Sequence, residues 1–157
     1  MTQAKISAVE LERLAKEEVP VAGQMGVVVD RVSPGEVIAR VPYRQAFVRP
    51  GGTVAGPVLM ALADFVMWGV VMSLIGPVKL AVTTSLNINF LRRPDPGDII
   101  AKGRILKLGR RLAVGEVYLY TEGREDLVAH VTCTYSIPPR DGDGAGSENS
   151  AGAGGSS

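Results

Sequence analysis

Between Val54 and Val78 the chain carries a single charged residue, Asp64. A stretch of that length and apolarity has two physical homes: the hydrocarbon core of a bilayer, or the inside of a sheet that covers a helix on all sides. The flanks favour the second. Gly56-Pro57 interrupts the start, Gly76-Pro77 closes the end, and no Lys/Arg cluster brackets the run as it would a membrane span. The pattern predicts a buried central helix running to about Leu74, with Thr53 as its cap and Pro57 near its start, where a missing N–H costs nothing. No membrane partner is expected. Asp64 then becomes the residue to explain, because an unpaired charge in an apolar helix is costly. A buried pairing with Arg or a capping role stands beside a functional one.

What surrounds the helix is read from periodicity. Ser7 to Glu18, with Leu11, Leu14 and Ala15 as a thin apolar stripe, predicts a short amphipathic helix. Met25 to Val32 and Glu36 to Val41 are β-branched runs joined by Ser33-Pro34-Gly35, which reads as a hairpin. Tyr43 to Gly52 reads as irregular. After the helix the period changes. Thr84, Leu86, Ile88 and Phe90 alternate with Thr83, Ser85, Asn87 and Asn89, a strand with one wet face. Ile99 to Leu108, Arg110 to Thr121 and Leu127 to Ile137 follow as further strands. In the second of these Ala113 and Gly115 are small enough to be pressed against a helix. A curved antiparallel sheet wrapped around one long central helix, an α+β fold, satisfies both the all-round apolar helix and the one-sided strands. The domain organisation expected is an N-terminal helical segment over 1–24, one domain over 25–137, and a tail over 138–157 too poor in aromatic and branched residues to order itself.

Composition excludes several partners. Lys+Arg number 17 against Asp+Glu 16, which lacks the one-sided basic field of a nucleic-acid binder. One cysteine, Cys133, and one histidine, His130, make neither an internal disulfide nor a four-ligand metal site, so no metal and no cofactor are expected. Met1 to Lys16 mixes charges where a secretory signal would be apolar, so the cytoplasm is the expected compartment. Strand parity puts His130 on the face opposite Leu127, Ala129 and Val131, towards solvent or another subunit, and Cys133 on the inward row as an apolar filler.

One segment carries a family resemblance. From Arg49 the chain reads Arg-Pro-Gly-Gly-Thr-Val-Ala-Gly-Pro, then an apolar stretch from Val58 to Ala63, then Asp64. This is similar to the signature of the 4-hydroxybenzoyl-CoA thioesterase superfamily, in its phenylacetate-pathway branch: an Asn, a few residues, Gly-Thr-x-His-Gly-Gly, and an Asp after a short apolar stretch of helix. The run Thr83 to Pro94, with Gly97-Asp98 and Lys107 to Arg110 after it, resembles the strand and hairpin that follow.

The resemblance implies the hotdog fold and hydrolysis of an acyl-CoA thioester. It implies that the Gly56 N–H polarises the thioester carbonyl, while Asp64, as general base or nucleophile, and Thr83 come from the other protomer of a homodimer or dimer of dimers. Chemistry agrees: thioester cleavage needs a base or nucleophile, plus donors where negative charge develops, and a helix N-terminus offers free N–H groups. The chain departs from the signature at its substrate-contacting positions. Arg49 stands at the Asn, Ala55 at the His, and Pro57 at the second Gly, which removes one candidate donor. Arg49 would then sit beside the carbonyl or an anionic group, Asp64 included. These departures leave open a protein that binds acyl-CoA without hydrolysing it. A hydratase would want a His paired with an acid at the site, and His130 lies off it by parity. Arg92-Arg93 and Arg110-Arg111 are either solvated pairs or contacts to coenzyme A phosphates, and Met60, Met67, Trp68 and Met72 are core residues or part of an acyl pocket.

Overall fold

The computed structural model describes residues 3–139 of the chain; from residue 140 onward the tail expected to be disordered lies outside the described residues. Helix α1 (Ala8–Glu18) is capped by Ser7, whose hydroxyl accepts from the Glu10 N–H, and it buries Leu11, Leu14 and Ala15 as its stripe predicts. A second short helix, α2 (Pro20–Met25), replaces the start of the expected first strand. Pro20 opens it, and Gly26 at φ 69 closes it in the left-handed region. Met25 is therefore a buried helical residue, and β1 (Val28–Ser33) begins three positions later. β1 turns into β2 (Glu36–Val41).

A two-rung hairpin starts within the segment read as irregular, β3 (Val48–Arg49), and ends just past it, β4 (Thr53–Val54), turned by Gly51 and Gly52 at positive φ. That hairpin corrects the expected cap. Thr53 is buried in β4, and the N-cap of helix α3 (Gly56–Ile75) is Ala55, which makes no side-chain cap bond. The first turn of α3 thus opens without a hydroxyl or carboxylate on its N–H groups.

β5 (Val82–Phe90), β6 (Ile99–Leu108), β7 (Leu112–Thr121) and β8 (Leu127–Ser136) complete a six-stranded antiparallel sheet in the order β1-β2-β6-β7-β8-β5. The sheet curls around α3. Leu62, Val66, Met67, Val70, Val71 and Met72 have no exposed surface, so the one helix among the described residues with the length and apolarity of a bilayer span is spent inside the protein. Close approach depends on missing side chains: a Cβ on Gly103 would lie 2.5 Å from Val66 Cγ1, and one on Gly115 would overlap Met67. On the other side of α3, a Cβ on Gly69 would lie 2.6 Å from Leu11 Cδ2, which locks α1 against the central helix. Hotdog describes this architecture.

The last strand pair departs from simple alternation. Thr83 pairs with Tyr135, but Ser85 pairs with the adjacent Thr134, so Thr84 is an extra residue in the ladder. From Ser85 on, the polar residues face outward opposite Thr134, Thr132 and His130. Strict alternation would put Thr83 among them; the bulge instead turns it to the inner face, towards α3.

Candidate active site

Asp64 lies a little more than two turns into α3, on the flank that meets β5 and β8. Its carboxylate is not buried alone. The Thr83 hydroxyl donates to Asp64 Oδ1 at 2.5 Å, and the Tyr135 phenol reaches the same Oδ1 at 2.7 Å and the Asp64 carbonyl oxygen at 2.8 Å. Among the described residues Oδ2 accepts no hydrogen bond. The group opens on a cleft of about 380 Å³ walled by Val19 and Ala22 from the N-terminal helices, Phe65 and Trp68 from α3, and Ala81 and Val82 before Thr83. Lys79 stands at its rim, paired with Glu18 at 2.9 Å. Burial, reinforced by the Asp64 charge, drives the Tyr135 phenol well above the usual tyrosine range, so it stays a donor. Burial and the same charge push the Cys133 thiol up to about 12, as befits an inert filler on the inward row.

Gly56 sits in a different cleft. Some 440 Å³ in volume, it is bounded by Arg49, Gly56, Leu59, Phe90, Arg92 and Arg93. Ala55 spends its N–H on the Phe47 carbonyl at 2.8 Å, Pro57 has none, and the Gly56 N–H has no partner among the described residues. The rim of this cleft is cationic. Arg92 is paired with Asp126, whereas Arg49 and Arg93 carry no ion pair among the described residues. Ala55 and Pro57 flank Gly56 in the chain without lining the cleft, and Arg49 does not approach Asp64 in the same protomer. Gly56 and Asp64 are eight positions apart, about 12 Å along a helix that rises 1.5 Å per residue.

Opposite the clefts, the outer face of the sheet carries a second acidic cluster. Glu116 on β7 accepts from Arg104 and from the Tyr118 hydroxyl at Oε1, and meets His130 Nε2 at 2.9 Å through Oε2. The His130 bond, then those of Tyr118 and Arg104, hold the Glu116 carboxyl down to about 2 against the cost of burial. His130 is thus on the outer face, as parity places it, but engaged with Glu116. Among the described residues no group of three or more His, Cys, Asp or Glu is placed to hold a metal ion.

Two polar features of the structure escape the sequence pattern. Tyr135 shares the inward row of β8 with Ala129, Val131 and Cys133, and a hydroxyl on an otherwise apolar row is the signal that marks it. Glu116 reads as one outward residue of β7, and only the register of three strands brings Arg104 and His130 to it.

Comparison with known proteins gives a consistent answer. Residues 51–128 match the thioesterase superfamily model, a stretch holding Gly56, Asp64 and Thr83 and ending before Tyr135. The chain is 38% identical to a putative thioesterase from Silicibacter sp. TM1040, covering 87% of this chain and 95% of that one with a TM-score of 0.78. It is 29% identical to a variant of the phenylacetic acid degradation protein PaaI from Thermus thermophilus, covering 76% and 99% with a TM-score of 0.67. A putative esterase of Halobacterium salinarum is 33% identical over 102 residues, 62% of this chain and 67% of the relative. The chain belongs to the thioesterase superfamily, as a thioester hydrolase of the hotdog fold.

Proposed function

We propose that the protein hydrolyses acyl-CoA thioesters in the cytoplasm, in a site shared between two copies of the chain. The observation that carries this reading is the split between the clefts. The unpartnered Gly56 N–H at the α3 entry and the carboxylate lie about 12 Å apart on one rigid helix, too far to serve one carbonyl from the same protomer. A two-fold dimer through the edge strand β5, which exposes Val82 and Phe90, would bring the Gly56 cleft of one protomer to the Asp64 cleft of the other. A dimer of dimers would repeat that unit. Neither a membrane nor a nucleic acid is needed as partner.

In that arrangement the Gly56 N–H donates to the carbonyl oxygen as it becomes an oxyanion. The unengaged Asp64 oxygen has two routes. As general base it takes a proton from water, the hydroxide adds to the carbonyl carbon, and the C–S pair leaves as coenzyme A thiolate, which then takes up the proton. As nucleophile it bonds to the carbonyl carbon and expels the same thiolate, and water then cleaves the anhydride to free acid and carboxylate. Thr83 holds the carboxylate in place. The apolar cleft beside Asp64 suits the acyl group, and the Arg49 and Arg93 guanidinium groups suit the phosphates of coenzyme A.

The test is thiol release from a panel of aliphatic and aromatic acyl-CoA thioesters. Free coenzyme A from at least one class is expected, and silence across the panel with folded protein would remove the reading. Sharing is tested by mixing two variants. Gly56→Pro removes the N–H in the first helical turn, after a residue already extended (Ala55, φ −66, ψ 142), and requires the exposed Phe90 ring, 3.2 Å from an added Cβ, to give way. Each of Gly56→Pro and Asp64→Asn is expected to be inactive alone. Reassorted together they should recover about a quarter of wild-type turnover, since half the dimers are mixed and each holds one intact site of two. No recovery would place both groups in one protomer.

A further inference from the structure

We infer that Tyr135 is a positioning residue of the hydrolytic site: with Thr83 it pins one carboxylate oxygen of Asp64 and leaves the other, Oδ2, as the reacting atom. This rests on the proposed role of Asp64 and goes beyond it by naming which oxygen acts and what selects it.

The geometry is asymmetric. Both hydroxyl donors converge on Oδ1, Thr83 from β5 and Tyr135 from β8, the two residues paired across the ladder on the same rung. The phenol also reaches the Asp64 carbonyl oxygen, so its contact ties the side chain to the helix backbone from which it springs. A carboxylate rotates about its terminal torsion with little resistance, its preferred orientations being broad and two-fold. Two donors on one oxygen remove that freedom, and they also lower the electron density of the oxygen they hold. Oδ2 keeps its lone pairs, and because Asp64 lines the cleft it is the oxygen left for a bound molecule. Tyr135 itself is 3% exposed, packed in a core of Val131, Cys133 and α3 side chains, and so rigid enough to act as a fixed stop. A buried tyrosine with no polar partner would be replaceable by phenylalanine at a gain; here the hydroxyl has two acceptors, both on Asp64.

The experiment is steady-state thiol release by wild type, Tyr135→Phe, Thr83→Val, the double variant and Asp64→Asn, with the acyl-CoA that the panel selects. Phenylalanine keeps the ring in its place, so melting temperature reports whether packing survives. The expected result for Tyr135→Phe is a kcat lower by about tenfold or more with KM within about twofold, since a reacting-atom geometry is lost while binding is not. The double variant should fall by less than the product of the two single losses, because both hydroxyls act on one oxygen. Wild-type kcat in a folded Tyr135→Phe, or strictly multiplicative losses, would overturn the inference. Should Tyr135→Phe not fold, Thr83→Val decides from the solvent side, and full kcat there overturns the pinning of Oδ1. Asp64→Asn separates the two levels. If it is inactive while Tyr135→Phe is unimpaired, only the inference falls; if it retains turnover, the role of Asp64 falls and the inference with it.

Discussion

Asp64 of α3 lies against the inner face of the sheet and Glu116 of β7 on its outer face, and the two carboxylates are built differently. On the inner side Asp64 has two neutral hydroxyl donors on one oxygen, none on the other among the described residues, and lines an open cleft. On the outer side Glu116 has both oxygens engaged, one by Arg104 and Tyr118 and the other by His130. The outer group is saturated by a cation and two rings, and its proton affinity is spent. The inner one keeps a face for chemistry. Strong perturbation of an acid therefore does not by itself mark an active site; under the proposed function the acid that reacts is the one with an unengaged oxygen.

Three outcomes would break or sharpen that contrast. The largest effect belongs to Asp64→Asn, which preserves shape and removes the charge: kcat for thioester cleavage should fall by a factor of about 10² to 10⁴, with the melting temperature close to wild type. Retained turnover would erase the distinction between the two sides. Glu116→Gln should do the reverse. Thiol release stays at the wild-type rate, while denaturant unfolding shows a loss of about 1–2 kcal/mol as Arg104 and His130 lose an ionised acceptor. A variant equally stable but catalytically impaired would mean that the outer cluster communicates with the site.

The smallest effect is in pH. Glu116 is held down to about 2 from 4.5, so its contribution to stability is complete above about 4.5 and drains away as pH falls towards 2, where the folded state also takes up the proton. Acid unfolding of the wild type should steepen through that window, and Glu116→Gln should flatten it. Identical acid profiles would show that the His130 and Arg104 contacts do not favour the ionised form.

The central helix was legible in the sequence because one charge in a long apolar run admits few solutions, and Asp64 stood out against it. Inward and outward rows of β7 and β8 followed from alternation, and with them the small residues that let α3 approach. Less visible was whatever depended on chain direction rather than period. Met25 is apolar and precedes a β-branched run, yet Pro20 and Gly26 enclose it in a helical turn. Thr53 has the chemistry of a cap, but pairing with Arg49 takes it out of reach and leaves the helix entry bare. The outer cluster was hidden for another reason. Arg104, Glu116 and His130 meet only through cross-strand register, which single-strand periodicity does not carry.

The extra residue at Thr84 bears on how relatives of this chain should be aligned. Because the ladder resumes at Thr83 opposite Tyr135, the hydroxyl that meets Asp64 is defined by its rung and not by its distance along the chain. A homologue one residue shorter in this strand would keep that rung by losing Thr84 alone, with its Ser or Thr still facing the helix. Loss of that one residue would thus leave the rung of the site intact, while an ungapped alignment through it would assign the hydroxyl to the wrong column.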